Sequence, residues 1–156
     1  MITQPSESYI GVCAQRIAPK LWVGSAPDEA ACAGFDVVVL CALEYQPKGL
    51  PVKYVIHASI DDNFEPTTQD LHTADTVASL VNMHRGVGRR VLVTCMEGRN
   101  RSAMVAALAL VKQGLPGHVA VAEVRRKRKH PEGKSILFNP AFVRFIEFVG
   151  KQTVRP

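Results

Sequence analysis

Cys95 and Arg101, six positions apart, enclose Met96, Glu97, Gly98, Arg99 and Asn100 and are followed by Ser102. Cysteine and arginine at that spacing are a weak signal by themselves in a chain with four cysteines, so the flanking residues decide. Val91-Leu92-Val93 reads as a buried strand leading into the cysteine, Gly98 permits an inward turn, and an apolar run from Ala103 to Leu110 makes a helix directly after Ser102. A strand, a glycine-bearing loop and a helix in that order aim backbone amides and the positive end of a helix dipole at one small volume, which suits a phosphate. Arg101 can add two parallel hydrogen bonds to a pair of phosphate oxygens, which lysine cannot copy. Helix termini and nearby cations favour a thiolate, so Cys95 is the candidate nucleophile. Sulfur would attack phosphorus, form a phosphocysteine and be released by water, with Ser102 donating to the departing sulfur and no metal or other cofactor needed. The competing reading is a buried cysteine acting as a small hydrophobe, with Arg101 in an ordinary surface pair.

A leaving oxygen must be protonated, and general acid catalysis typically contributes about 10²–10⁴-fold. A carboxyl is therefore expected on a loop near the end of a strand. Asp61 and Asp62 lie in the linker Asp61-Asp62-Asn63-Phe64-Glu65-Pro66, after the strand candidate Tyr54-Val55-Ile56. Adjacent aspartates serve equally as turn formers or helix-entry charges, and spacing does not choose between the two.

These residues need a scaffold, and 156 residues with 47% hydrophobic composition are enough for one domain with a core of its own. Leu21-Trp22-Val23, Val37 to Cys41, Tyr54 to Ile56 and Val91 to Val93 are strand candidates. Runs apolar on both faces predict a central, mostly parallel sheet covered by helices, hence an α/β class. Helical spacing of Leu71, Ala74, Ala78 and Val81 from about Thr67, stopped by Gly86 and Gly88, predicts a crossover helix. Further helices are expected over about Val119 to Lys129 and about Pro140 to Gly150, the last with Phe142, Phe145, Ile146 and Val149 on one face. Cys13, Cys32, Cys41 and Cys95 are too scattered for a zinc finger and too few for a disulfide scaffold, so a reducing, cytoplasmic setting is expected. No 18-residue apolar run and no signal-peptide order appear in the sequence. The net charge of +5 points to anionic partners. The run Arg125-Arg126-Lys127-Arg128-Lys129-His130 reads either as a nucleic-acid patch or as a solvated helix end, where cations suit the dipole.

With these residues assembled, the chain resembles the dual-specificity protein phosphatases of the cysteine-based tyrosine phosphatase superfamily. The resemblance runs nearly from end to end as one domain over 1–156, with a catalytic core of about 16–150. It rests on Ile17-Ala18-Pro19-Lys20-Leu21-Trp22-Val23-Gly24-Ser25, on Val91 to Cys95 with Arg101-Ser102-Ala103, and on Asn139-Pro140-Ala141-Phe142. It implies an αβα sandwich with a shallow site, no cofactor, and phosphotyrosine, with phosphoserine or phosphothreonine, in proteins as substrate. It makes Asp62 the first choice of acid and Asp61 the second, with Ser59 standing where the family usually has proline. Three departures stand out: Thr94 replaces the usual histidine before the nucleophile, Glu97 replaces a small residue, and the loop from Asp62 to Leu71 is long. Glu97 is expected to point outward or to pair with Arg99, because a carboxylate beside an anion site repels phosphate. Arg99 resembles a basic residue of the phosphatase-and-tensin-homologue lipid phosphatases, although Met96 stands where those carry a second one. Cys41 resembles that subgroup's protective disulfide partner of the nucleophile; the other reading is a core cysteine. Phosphoinositides or RNA 5′-phosphates, drawn by Arg99 and residues Arg125 to Lys129, and a phosphate-binding pseudoenzyme are the alternatives.

Overall fold

The computed structural model describes residues 14–153, so Cys13 lies outside the described residues. A five-stranded sheet forms in the order β1-β2-β5-β3-β4, from Ala14–Ala18 (β1), Leu21–Gly24 (β2), Val37–Ala42 (β3), Tyr54–Ile60 (β4) and Val91–Thr94 (β5). β1 and β2 form an antiparallel hairpin, while β2, β5, β3 and β4 run parallel. The hairpin turns at Pro19-Lys20, where proline presets the first central position and Lys20 accepts φ 64° at the second. Asp36 pins the start of the central pair: it accepts from Arg90 N at 2.8 Å and from Arg90 Nε at 3.2 Å.

Strand periodicity divides the core in two. Val37, Val39 and Cys41 face a large cluster with the four helices, whereas Val38 and Leu40 face a smaller one with Trp22, Phe35 and Leu92. The helices are Thr68–Gly86 (α1), Arg101–Lys112 (α2), Gly117–Lys127 (α3) and Pro140–Thr153 (α4). The opposite outer layer is thin, a 3-10 turn at Ala30–Cys32 with Leu50 and Val52. α2 is buried from Arg101 to Val111 because its neighbours α1, α3 and α4 leave it no solvent face. α1 starts on a capping box: Asp70 N donates to Thr67 Oγ1 at 3.0 Å and Thr67 N donates to Asp70 Oδ2 at 3.2 Å.

Two boundaries differ from the sequence-based reading. α3 stops at Lys127, two residues early, because Arg128 is extended at φ −85° and ψ 117° and turns its side chain inward. α4 continues past Gly150, which sits against Gly117 where the two helices cross. A Cβ on Gly150 would lie 2.8 Å from Gly117 N, so this glycine is a close-approach residue and not a stop. No helix among the described residues is long and apolar enough to cross a membrane.

Candidate active site

β5 ends at Thr94 and α2 begins at Arg101, so residues 95–100 form the connection at the C-terminal edge of the sheet. Its carbonyls are engaged from outside, one after another. Ala26 N donates to Met96 O at 3.0 Å, Arg128 Nη2 to Glu97 O at 2.8 Å, Arg128 Nε to Gly98 O at 2.9 Å, and Leu137 N to Arg99 O at 2.7 Å. In a trans peptide the N–H lies opposite its carbonyl, so the amides that follow are turned toward the inside of the loop. The helix start adds its own unpaired amides. Gly98 has φ 68°, and a Cβ there would lie 2.5 Å from Arg128 Nη2 and 2.7 Å from Gly24 O. Only glycine satisfies both demands.

Cys95 is 4% exposed, and its sulfur lies 3.1 Å from Ser102 Oγ, which is fully buried. Arg101 is 5% exposed. Its Nη1 donates to Glu44 Oε2 at 2.6 Å and to Ile60 O at 3.1 Å, and its Nη2 donates to Glu44 Oε1 at 2.5 Å. A guanidinium has five N–H groups. Three are used, and the Nε–H and the second Nη2–H remain, side by side on one edge. Nε is buried with no protein partner. That edge has the fork geometry that suits two oxygens of a phosphate. Arg101 holds the Glu44 carboxyl below its ordinary value of 4.5 through their hydrogen bonds. Burial disfavours the charge on Arg101, but Glu44 and then Cys95 more than offset it, so the guanidinium is raised above its ordinary value.

Asp62 lies on the exposed loop after β4 and comes to this edge by two amides. Asn100 Nδ2 donates to its Oδ2 at 3.2 Å, and Asn139 Nδ2 to its Oδ1 at 3.4 Å. Asp61 is exposed, and its backbone N–H donates to Asp70 Oδ1 at 3.4 Å. Thr94 is buried, and its hydroxyl donates to Val39 O at 2.8 Å, tying β5 to β3 beneath the loop. Glu97 turns away from the loop interior, with Arg99 Nη1 at 3.1 Å and Lys134 Nζ at 3.2 Å. These two cations, Arg99 first, hold its carboxyl below its ordinary value. Cys41 is fully buried among core residues; burial, then the neighbouring Cys95, pushes its thiol well above the ordinary range.

The basic run is split: Arg125, Arg126 and Lys129 are exposed, Lys127 is half-buried and Arg128 is buried. Arg125 donates to Ile136 O at 3.2 Å and Leu137 O at 2.8 Å, and Lys127 to Ile17 O at 3.0 Å. Arg128 is fully buried and braces the phosphate loop, with a further bond to Gln15 Oε1 at 2.6 Å. Arg99 donates to Ser135 O at 2.9 Å and lies over the Phe138 ring at 4.3 Å, so its head also points away from the loop interior. Of the cations expected to draw lipid or RNA, Arg99 and Arg125 to Lys129, Arg128 is buried, Arg99 is held by Ser135 and Phe138, and Arg125, Arg126 and Lys129 stay exposed. Among the described residues no group of three His, Cys, Asp or Glu side chains is arranged to hold a metal.

Sequence reasoning missed Glu44, and took Asn139 only as part of a family motif without giving it a place in the site. Glu44 is the first carboxylate beyond β3, at the edge where Cys95 follows β5, a position that strand order reveals but spacing along the chain does not.

The architecture and the loop after β5 define a cysteine-based phosphatase fold. No family model and no curated protein matches the sequence. Solved structures do: human dual-specificity phosphatase DUSP28 is 23% identical, with 89% of this chain and 93% of that one covered at a TM-score of 0.74. Tk-PTP in its active form is 25% identical, covering 86% and 96% at 0.68. Human tyrosine phosphatase-like serine/threonine/tyrosine-interacting protein is 17% identical, covering 89% and 96% at 0.68. The chain has the dual-specificity phosphatase fold.

Proposed function

We propose that this protein is a cysteine-dependent phosphatase that hydrolyses phosphomonoesters, phosphotyrosine in proteins first and phosphoserine or phosphothreonine second. The observation that carries the reading is the open Nε edge of buried Arg101 beside Cys95, on a loop whose four carbonyls from Met96 to Arg99 are held from outside. A buried donor without a partner costs about 1–3 kcal/mol, which an arriving oxyanion recovers. Three equatorial phosphate oxygens fit the ring of amides and the guanidinium fork.

In the first step the Cys95 thiolate attacks phosphorus, the bond from phosphorus to the leaving oxygen breaks, and Asp62 gives that oxygen its proton. Phosphocysteine remains. In the second step the Asp62 carboxylate takes a proton from water, the water oxygen bonds to phosphorus and the S–P bond breaks. Ser102 Oγ, 3.1 Å from the sulfur, donates to it as it regains negative charge. Inorganic phosphate leaves with the loop restored.

Phosphate release from a phosphotyrosine peptide and from 4-nitrophenyl phosphate is expected with the wild-type chain and is expected to vanish in Cys95→Ser. Phosphopeptide binding without turnover would replace this reading with that of a phosphate-binding pseudoenzyme. Turnover that survives Cys95→Ser would refute the nucleophile.

A further inference from the structure

Asn100 and Asn139 take no part in the bond changes above, yet they are buried, at 2% and 1% exposure, and both reach the exposed Asp62. A side-chain amide has one acceptor oxygen and one donor nitrogen, so whatever fixes the oxygen fixes where the nitrogen points. Asn139 N donates to Asn100 Oδ1 at 3.2 Å, which leaves Asn100 Nδ2 facing Asp62, 3.2 Å from Oδ2 and 3.5 Å from Oδ1. Ala141 N donates to Asn139 Oδ1 at 3.0 Å, which leaves Asn139 Nδ2 facing Asp62 Oδ1 at 3.4 Å and Asn63 O at 2.8 Å. Flipping either amide would set an NH₂ against a backbone N–H and an oxygen against a carboxylate, a mismatch on both sides.

A second feature shows that Asn100 is diverted from its usual use. Asparagine is among the favoured helix N-caps, and Asn100 occupies the N-cap of α2, yet its side chain makes no capping bond. It reaches across 38 residues to the acid loop instead. Asn139 sits on a segment fastened to the same loop, through Leu137 N to Arg99 O at 2.7 Å and Arg99 Nε to Ser135 O at 2.9 Å. Those bonds hold Leu137 at φ 52°, a conformation that costs a branched residue about 1–2 kcal/mol. Outside, Phe64 of the acid loop packs edge-on against Phe138, with ring centroids 6.4 Å apart.

We infer that Asn100 and Asn139 are positioning residues, an amide clamp that holds the Asp62 carboxyl over the phosphate loop. The inference rests on the phosphatase reading above. Neutral amides suit this task because Asp62 must be protonated in one step and charged in the next. An NH₂ donates to a carboxyl oxygen in either state, whereas a cation would act mainly on the charged form. Because Asn100 adjoins Arg101, the clamp also registers the acid against the residue that holds the phosphate.

The test uses Asn139→Ser, which keeps a short oxygen for the Ala141 N–H but removes the NH₂, and Asn139→Asp, which keeps the cap and sets a carboxylate against Asp62. Two readouts are taken: kcat on phenyl phosphate against kcat on 2,4-dinitrophenyl phosphate, and amide hydrogen exchange over Asp61 to Glu65. The expected result is a loss about tenfold larger on the poor leaving group than on the good one, a fraction of the whole general-acid effect. Asn139→Asp should lose more than Asn139→Ser, exchange over the acid loop should quicken in both, and adding Asn139→Ser to Asp62→Asn should bring no further leaving-group dependence. Equal losses on both esters would overturn the clamp, and so would additivity with Asp62→Asn. If the wild type turns over neither ester, the phosphatase reading fails by itself. Exchange over Asp61 to Glu65 then still tests the clamp, and unchanged exchange in Asn139→Ser refutes it.

Discussion

The phosphate loop and the acid loop meet at Asp62 but are built in opposite ways. In the phosphate loop Cys95, Asn100, Arg101 and Ser102 are buried, and four successive carbonyls, from Met96 to Arg99, have partners outside the loop. In the acid loop every residue from Asp61 to Glu65 is exposed, and beyond the two asparagines its bonds are short-range, such as Glu65 N to Asn63 Oδ1 at 2.8 Å. The difference suits the two tasks that the proposed function gives these loops. An anion site works when its dipoles are fixed before charge arrives. A general acid must exchange its proton with water between steps, so it belongs on an exposed segment held at a few points.

The largest effect is expected where the rigid side of this contrast is broken. Arg128→Met keeps much of the buried volume but strips the donors from Glu97 O, Gly98 O and Gln15 Oε1. Gln15 Oε1 keeps Lys129 N at 3.2 Å, but the two loop carbonyls lose their donor at about 1–3 kcal/mol each, so a stability loss of about 3 kcal/mol is expected in urea unfolding. The freed peptides can then rotate their amides out of the site. Losing one preorganised oxyanion donor costs about 10²–10³ in kcat, so a fall of about 10³ is expected, equal for good and poor leaving groups. A selective loss on poor leaving groups would mean that Arg128 acts through Asp62.

Breaking the mobile side should give the converse pattern at smaller size. Asp62→Asn is expected to lower kcat on phenyl phosphate about 10²-fold, at the low end of general acid catalysis, and to do much less on 2,4-dinitrophenyl phosphate. Asp61→Asn should leave that ratio unchanged, because the structure gives Asp61 no bond to the phosphate loop. If Asp61→Asn instead produced the leaving-group dependence, the acid would have to be reassigned.

How much of this was legible in the sequence divides along the same line. The strand, glycine, serine and helix around Cys95 are local signals, and α1 with its Thr67 start was as well, since periodicity and caps act within a few residues. The bracing contacts are not local. Arg128 reaches Gly98 across 30 residues and Gln15 across 113, Arg101 reaches Glu44 across 57, and Asn139 reaches Asp62 across 77. Along the chain, Arg128 is one cation among five between residues 125 and 129 and nothing distinguishes it from Arg126, which is exposed and paired with Glu123. Burial made one structural and left the other solvated. The order of strands, with β5 between β2 and β3, creates that burial, and no residue type announces it.

The smallest expected effect concerns Glu44, the partner that fixes Arg101 from the solvent side of the same site. Glu44→Gln keeps the shape and an oxygen but removes the charge, so the guanidinium loses part of its fork and about tenfold in kcat/KM is expected, mainly as a rise in KM for a phosphotyrosine peptide. The pH dependence gives a sharper test. Arg101 depresses the Glu44 carboxyl below its ordinary 4.5 in the folded chain, so the unfolded chain binds the proton more readily. The contribution to stability is therefore complete above about pH 4.5 and is lost as pH falls through the lower folded value. Half the Glu44 side chain is exposed, so water screens the pair and the contribution is modest. The stability difference between wild type and Glu44→Gln, followed by urea unfolding from pH 7 downward, should stay constant to about pH 4.5 and then shrink. A difference that held constant to the lowest pH would mean that the two residues are held together by packing and not by charge.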